Sequence, residues 1–312
     1  MAVQTWWLSL CAIAVFNIAA WSFAARALQR SQSQLSEEDY AERRWQLIFS
    51  AGYVFGCAFR SFFPVFDVPR QTLFDTWISS ALVGRSVATI AELCFAAQWA
   101  LLLRATSRAA GNSTAYAVSA TLVPMIVVAE ICSWYSVITT SNIGHVFEES
   151  LWGIGAALVV ITMAKIRPRC TPLPRTAIIA WCTAGLAYVA YMFTVDVPMY
   201  WNRWVAGESV GRAYFGLSEG VSDALQRRLV TWQWADWNSE VVWMTLYFSV
   251  AVWISISLVF APAARASSYE RNGRALSSSH PDPLRVCAAA RPPASSGWAF
   301  LRRNALWRYV GR

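Results

Sequence analysis

Residues 75–103 read DTWISSALVGRSVATIAELCFAAQWALLL. Beyond Asp75 at its start, this stretch carries only two charged residues, Arg85 and Glu92, in an otherwise apolar or small-residue run. A helix needs about 20 such residues to cross the hydrocarbon of a bilayer. The run exceeds that length, which predicts a membrane helix that tilts or projects beyond the lipid. It also poses the functional question, because a charge in the middle of such a helix costs about 2.5–3.5 kcal/mol on insertion scales and needs a reason to be there.

Further runs of membrane-spanning length lie on either side, at 6–25, 45–63, 117–139, 148–166, 176–195 and 240–261. The whole chain agrees with them. It has 312 residues, 56% of them hydrophobic and only 14% charged, with mean hydropathy +0.37. A soluble domain carries about 25% charged residues. The 18 tryptophans suit the two membrane–water interfaces. The first helix has no positive segment before it, since Arg26 and Arg30 follow the apolar run, so it reads as an uncleaved first span.

The net charge of +8 would fit a nucleic-acid binder, but its placement excludes that partner. Arg26, Arg30, Arg43 and Arg44 fall in the first loop and Arg104 and Arg108 in the third. Lys165, Arg167, Arg169 and Arg175 fall in the fifth, and Arg265, Arg271 and Arg274 after the last span. The fourth loop, between 139 and 148, has no lysine or arginine. Under the positive-inside rule these basic segments lie in the cytoplasm.

The expected fold is therefore all-α, a polytopic membrane protein built as a bundle of seven transmembrane helices, with its N-terminus outside and its C-terminus cytoplasmic. Residues 1–266 form the membrane domain, including an outer loop over 196–239 whose portion 217–234 reads as an amphipathic helix at the interface. Residues 267–312, rich in Ser, Ala, Pro and Arg, read as a basic, largely disordered cytoplasmic tail. The chain is expected in the plasma or inner membrane, or in an endomembrane of a eukaryotic cell. Expected partners are membrane lipid, a small molecule or ion, and a homo-oligomer or a membrane-complex partner. Cys11, Cys57, Cys94, Cys132 and Cys182 all sit in apolar runs without metal spacing, where cysteine acts as a small hydrophobe.

Three ionisable residues fall at mid-span: Arg85, Glu92 and Glu130. Arg85 lies ten residues into its run and Glu130 nine from the end of the next, antiparallel one. At 1.5 Å per residue the two reach similar depth, which predicts an Arg85–Glu130 ion pair. Arg85 and Glu92 share a helix face but stand about 10 Å apart along the axis. Glu92 is thus expected to have no basic partner and to be free to carry a proton.

A second cluster, Asn142-Ile-Gly-His145-Val-Phe-Glu148-Glu149, straddles the fourth loop and the start of helix five. His145 with Glu148 and Glu149 has the makings of a general base or of a weak metal site, although zinc normally takes three or four ligands at recognisable spacing. Acidic residues at a helix N-terminus are also favoured by its dipole alone. No metal or cofactor is expected. Asp67, Asp196, Asp236 and Glu240 add negative charge on the outer side, offset by Arg60, Arg70 and Arg203, and such a mouth favours cations. Tyr188, Tyr191, Trp243 and Tyr247 stand on helices six and seven, facing either a cavity or lipid.

The topology resembles that of rhodopsin-like proteins, but a retinal pigment needs a lysine in its last helix and 240–261 has none. P-loop and His-Glu-x-x-His patterns are absent. Three readings follow. The first is a transporter, channel or ligand-binding bundle with a proton-linked polar site at Arg85, Glu92 and Glu130. The second is an intramembrane enzyme acting on a lipid-like substrate at His145, Glu148 and Glu149. The third is a structural or assembly subunit whose buried charges fix packing.

Overall fold

Helix formation dominates the chain because backbone N–H and C=O groups in an apolar surrounding must be satisfied within their own segment, which outweighs interior breakers such as Gly52, Gly56, Pro124 and Gly185. The computed structural model describes residues 2–167 and 172–261. In order, the long helices are α1 (Ala2–Arg30), α2 (Glu37–Phe62), α3 (Ala81–Ala110), α4 (Ser113–Thr139) and α5 (Ile143–Ile166). Then come α6 (Pro172–Tyr191), α7 (Val197–Ser209), α8 (Leu217–Gln226), α9 (Trp234–Leu246) and α10 (Val252–Leu258). The tail expected from residue 267 onward lies outside the described residues.

Six helical stretches are long and apolar enough to cross a membrane, among them Ala81–Arg108, Arg175–Ser209 and Trp234–Leu258. The partition of side chains is inverted relative to a water-soluble protein. Phe23, Ile131 and Leu186 point outward, while Arg85, Glu92 and Glu130 are buried. Outward apolar and inward charged side chains are what a hydrocarbon solvent selects, and the chain is an integral membrane protein.

Local signals set the boundaries. Ser80 caps α3 by accepting from the Val83 amide, so that helix begins at Ala81 and not at Asp75. Gly111, at φ 59°, ends it, and Asn112 caps α4 by accepting from Ala115. Ser36 caps α2 through the Asp39 amide, with Glu37, Glu38 and Asp39 in the first turn where the helix dipole favours them. Those acidic residues lower the helix's average hydropathy. Even so, α2 packs between α1 and α3 and is tied in by Gln46, whose Nε2 donates to the Gln98 carbonyl at 2.9 Å. Gln98 Nε2 returns a bond to the Gln46 carbonyl at 3.0 Å, and Ser255 of α10 donates to Gln98 Oε1 at 2.6 Å. Hydrogen bonds of this kind join helices where lipid gives no hydrophobic driving force.

Two helices differ from their sequence reading. The sixth was expected to stop at residue 195, before Pro198. Instead α6 runs through a π-turn, Met192–Asp196, directly into α7. Pro198 sits in the first turn after the π segment, where its missing N–H and fixed φ are tolerated. The 196–239 segment is therefore helical at its start, and Trp201 and Trp204 ride on that extension. The last long helix has a matching π-turn, Tyr247–Ala251, between α9 and α10. Asn17 of α1 donates to the Phe248 carbonyl in that turn at 2.7 Å, and Trp253 donates to Asn17 Oδ1 at 2.9 Å.

One end of the bundle carries a small cap. Strands β1 (Val65–Phe66) and β2 (Gln71–Thr72) pair antiparallel, with Val65 opposite Thr72. Strand β3 (Leu229–Val230) adds in parallel, with Gln71 opposite Leu229. Arg70, at φ 75°, closes the turn into β2. Its side chain donates to Asp223 Oδ2 at 2.9 Å, to the Asp67 carbonyl at 2.8 Å and to the Val137 carbonyl at 2.5 Å. The expected 217–234 interfacial helix is shorter, ending at Gln226, and its small-residue face packs on protein: Gly220 lies against the Ile138 carbonyl, and Ala224 is buried with Val65, Ala81 and Val137.

Candidate functional site

The site begins with one guanidinium. Arg85 sits in the second turn of α3, and its Nη2 lies 2.6 Å from Glu130 Oε2 on α4, the pair expected from depth. The same nitrogen lies 2.5 Å from Glu92 Oε2, which overturns the expectation that Glu92 has no basic partner. The reason is geometric. Side chains on a helix lean toward its N-terminus, so Glu92 tilts up its own helix toward Arg85, and a long arginine covers the rest of the axial gap.

Nη1 of Arg85 then reaches across to α5, 3.1 Å from Glu148 Oε1. The other oxygen of Glu148 lies 2.7 Å from His145 Nδ1. The mid-span charges and the His/Glu cluster, separate in the sequence reading, therefore form one network over α3, α4 and α5. Thr89 donates to Glu130 Oε2 at 2.6 Å, and Trp134 donates to Thr89 at 3.0 Å. Tyr247, from the π-turn, donates to Glu92 Oε1 at 2.9 Å. Glu130 Oε1 and Arg85 Nε are buried without a hydrogen-bond partner among the described residues.

The backbone positions His145 by close approach. Gly144 lets the start of α5 abut α4, because a Cβ there would collide with the Cys132 carbonyl and lie 2.6 Å from Ser136 Oγ. That hydroxyl in turn accepts the His145 amide at 2.8 Å. A Glu148 carboxylate bound to Arg85 is an acceptor only, so His145 carries its hydrogen on Nδ1 and its Nε2 is the basic nitrogen. The Tyr200 ring lies against the imidazole, with centroids 4.8 Å apart.

The carboxylates of Glu92, Glu130 and Glu148 stand within 4.8 Å of one another, a spacing a metal ion could bridge. The Arg85 guanidinium already fills that role, with a nitrogen on each of them. A metal bound there would have to displace a buried arginine. The His145, Glu148 and Glu149 set is no better suited, because Glu148 is shared between Arg85 and the imidazole.

Beside the network lies a cavity of about 540 Å³. Tyr188, Tyr191, Trp243 and Tyr247 all line it, which decides their orientation: they face inward. Trp253, on the same helix, points away toward α1. One part of the wall is polar, with Asp67, Arg85, His145, Glu148, Glu149 and Glu240. The far part is apolar, with Leu122, Ile126, Val159, Val160 and Ile254, and an edge contact between Trp99 and Trp181 at 5.9 Å.

Several contributors escaped the sequence reading. Arg60, read as part of the outer mouth, is buried within α2 with its guanidinium 5.8 Å from the Trp243 ring centroid. Tyr53 and Tyr200 also line the cavity. Arg203 lies 3.6 Å from Glu240, between Phe66 and Tyr200. The one available signal was Arg60 itself, a charge inside the apolar run 45–63. Of the other mouth residues, Asp75 pairs with Arg228 and Asp236 accepts from Thr231, so both serve the cap.

No protein-family model, no characterised protein and no solved structure matches this chain.

Proposed function

We propose that the chain is a seven-helix membrane protein, N-terminus outside and C-terminus cytoplasmic, that binds a small amphiphilic molecule within the bundle and passes it across or along the bilayer. The seventh span in this count is α2, and the clustering of basic residues in alternate loops gives the orientation. The observation that carries the reading is the cavity. Its volume of about 540 Å³ falls in the ordinary range for ligand pockets, and its wall is polar at one end and apolar at the other. A buried ion network that only locked helices together would have no need of such a space beside it.

The π-turn Tyr247–Ala251 contributes to this wall through Tyr247, Val250 and Ala251, and Tyr191, next to the other π-turn, lines it as well. Such turns break the regular ladder and often mark functional positions in membrane helices. The reading is tested by native mass spectrometry of protein released from nanodiscs. Wild-type protein is expected to carry a small-molecule adduct, and Ala184→Trp, which fills the cavity from α6, to lose it. Equal occupancy in both would overturn the proposal.

One observation favours a second reading, an intramembrane enzyme. His145 Nδ1 is held by a buried carboxylate while the ring borders the cavity, the arrangement of a general base and its orienting group. Among the described residues the imidazole hydrogen-bonds to Glu148 alone, so the nucleophile in such a reaction would be water. Turnover of a lipid ester or amide that His145→Ala abolishes would support this reading over carriage.

A further inference from the structure

The polar end of the cavity holds more carboxyl groups than its arginines engage. Arg85 is already committed to Glu92, Glu130 and Glu148 together. Arg203 is committed to Glu240, and Arg60 stacks on Trp243 while donating to the Val65 carbonyl at 3.4 Å. Glu149 lines the cavity with no hydrogen bond to any described residue. Asp196 stands behind this wall, near Glu240, Glu148, His145 and Arg203, and its Oδ2 is buried without a partner among the described residues. Asp67, also on the cavity wall and 8% exposed, has a buried Oδ1 without a partner.

Resting on the cavity reading above, we infer that the ligand is an ammonium-bearing amphiphile: its cationic head lies by Glu149 and Asp67, and its apolar body reaches toward Trp99 and Trp181. Buried carboxylates that lack partners are costly, and a cation brought by the ligand supplies what the protein omits. The aromatic rings point the same way. Trp243 carries one guanidinium at 5.8 Å from its centroid, and Phe66 and Tyr200 hold another at 5.1 and 5.5 Å, so this wall already accommodates cations on ring faces. An anionic head would find Arg85 already held by three carboxylates and Arg203 by Glu240, and even beside Arg60 it would meet Glu149 and Asp67 on the same wall. The apolar lining beside the tryptophan pair suits a molecule with a hydrocarbon body, whether it arrives as a lipid in the bilayer or as an amine from water.

The test uses the full chain in phosphatidylcholine nanodiscs, with cavity tryptophan fluorescence as readout and empty nanodiscs as the partition control. The probes are dodecylammonium, dodecanol and dodecanoate, with phenethylammonium as a water-borne cation. The ammonium is expected to bind at least about tenfold tighter than the alcohol of equal length. Glu149→Gln should remove that preference and leave dodecanol unaffected, while Glu149→Asp should keep it. If Glu149→Gln does not fold, the three-way comparison on wild type decides alone. Binding of phenethylammonium as well as dodecylammonium supports a water-borne source, and binding of the long chain alone supports a bilayer source. Equal affinity for the three dodecyl probes, or a preference for the carboxylate, overturns the cationic class and leaves the cavity reading intact. Binding of none of them overturns both.

Discussion

Arg85 and Glu148, on helices separated in the chain by the whole of α4, are joined through Nη1 and Oε1 at 3.1 Å. This contact merges two groups of residues into one site. It holds one oxygen of Glu148, the other oxygen lies 2.7 Å from His145 Nδ1, and the imidazole then presents Nε2 away from the carboxylate. Glu148 is thus the residue on which the network turns, although the sequence gives no reason to rank it above its neighbour Glu149.

That ranking yields the first prediction. Glu148→Gln leaves Arg85 with less compensating charge and gives His145 a weaker acceptor. Breaking a buried ion pair from one side costs about 3–5 kcal/mol. Glu149, which has no hydrogen bond to a described residue, should cost far less when changed to Gln. Thermal unfolding in one detergent, read for both variants, is expected to give a large drop in Tm for the first and a small one for the second. Equal drops would mean that the shared carboxylate does not hold the network.

The small cap of strands and α8 supplies the second. Gly220 lies against the Ile138 carbonyl, and Arg70 ties α8 down through Asp223 at 2.9 Å. Gly220→Ala puts a methyl group into backbone that cannot yield, so α8 must lift. Arg70→Lys keeps the charge but loses the guanidinium fork that reaches Asp223, Asp67 and Val137 at once. Hydrogen exchange across 217–230 should rise by an order of magnitude or more in either variant while α3 and α4 stay protected. Unchanged protection would show that α8 is held by other contacts.

Orientation gives a third. Ser209 and Gln34 are exposed near opposite ends of the described helices. In a background whose native cysteines are replaced, an impermeant maleimide should label Ser209→Cys on intact cells and Gln34→Cys only after permeabilisation. The reverse pattern would invert the orientation and place the basic loops outside.

How much of this was legible beforehand depended on the physics of each feature. Membrane class and six of the helices followed from hydropathy, because a lipid solvent imposes a long and simple pattern. The Arg85–Glu130 contact followed from depth along two antiparallel helices, even though Ser80 moves the start of α3 inward. The Glu92 contact was missed because axial rise alone ignores side-chain tilt. The Glu148 contact was missed because α3–α5 proximity is a tertiary fact with no local trace. Pro198 misled for a related reason: a π-turn lets a helix pass a proline, and nothing in the residues MFTVD announces one. The inward direction of Tyr188, Tyr191, Trp243 and Tyr247 could not be read at all, since a ring suits a cavity and a lipid interface equally well.

The fourth prediction concerns a double substitution that the simple pair and the observed network answer differently. If Arg85 and Glu130 formed an isolated ion pair, Arg85→Met with Glu130→Leu would be tolerated, because a matched apolar pair often replaces a buried ion pair at little cost. In the network that same change strips the guanidinium from Glu92 and Glu148 as well. Glu92 keeps only the Tyr247 hydroxyl at 2.9 Å, and Glu148 keeps only His145 at 2.7 Å. The double variant should therefore be about as unstable as Arg85→Met alone, and adding Glu92→Gln and Glu148→Gln should recover much of the loss. Unfolding midpoints for the single, double and quadruple variants in one detergent decide the matter. A double variant near wild-type stability would mean that Glu92 and Glu148 do not depend on Arg85, and the three-carboxylate site would reduce to one ordinary pair.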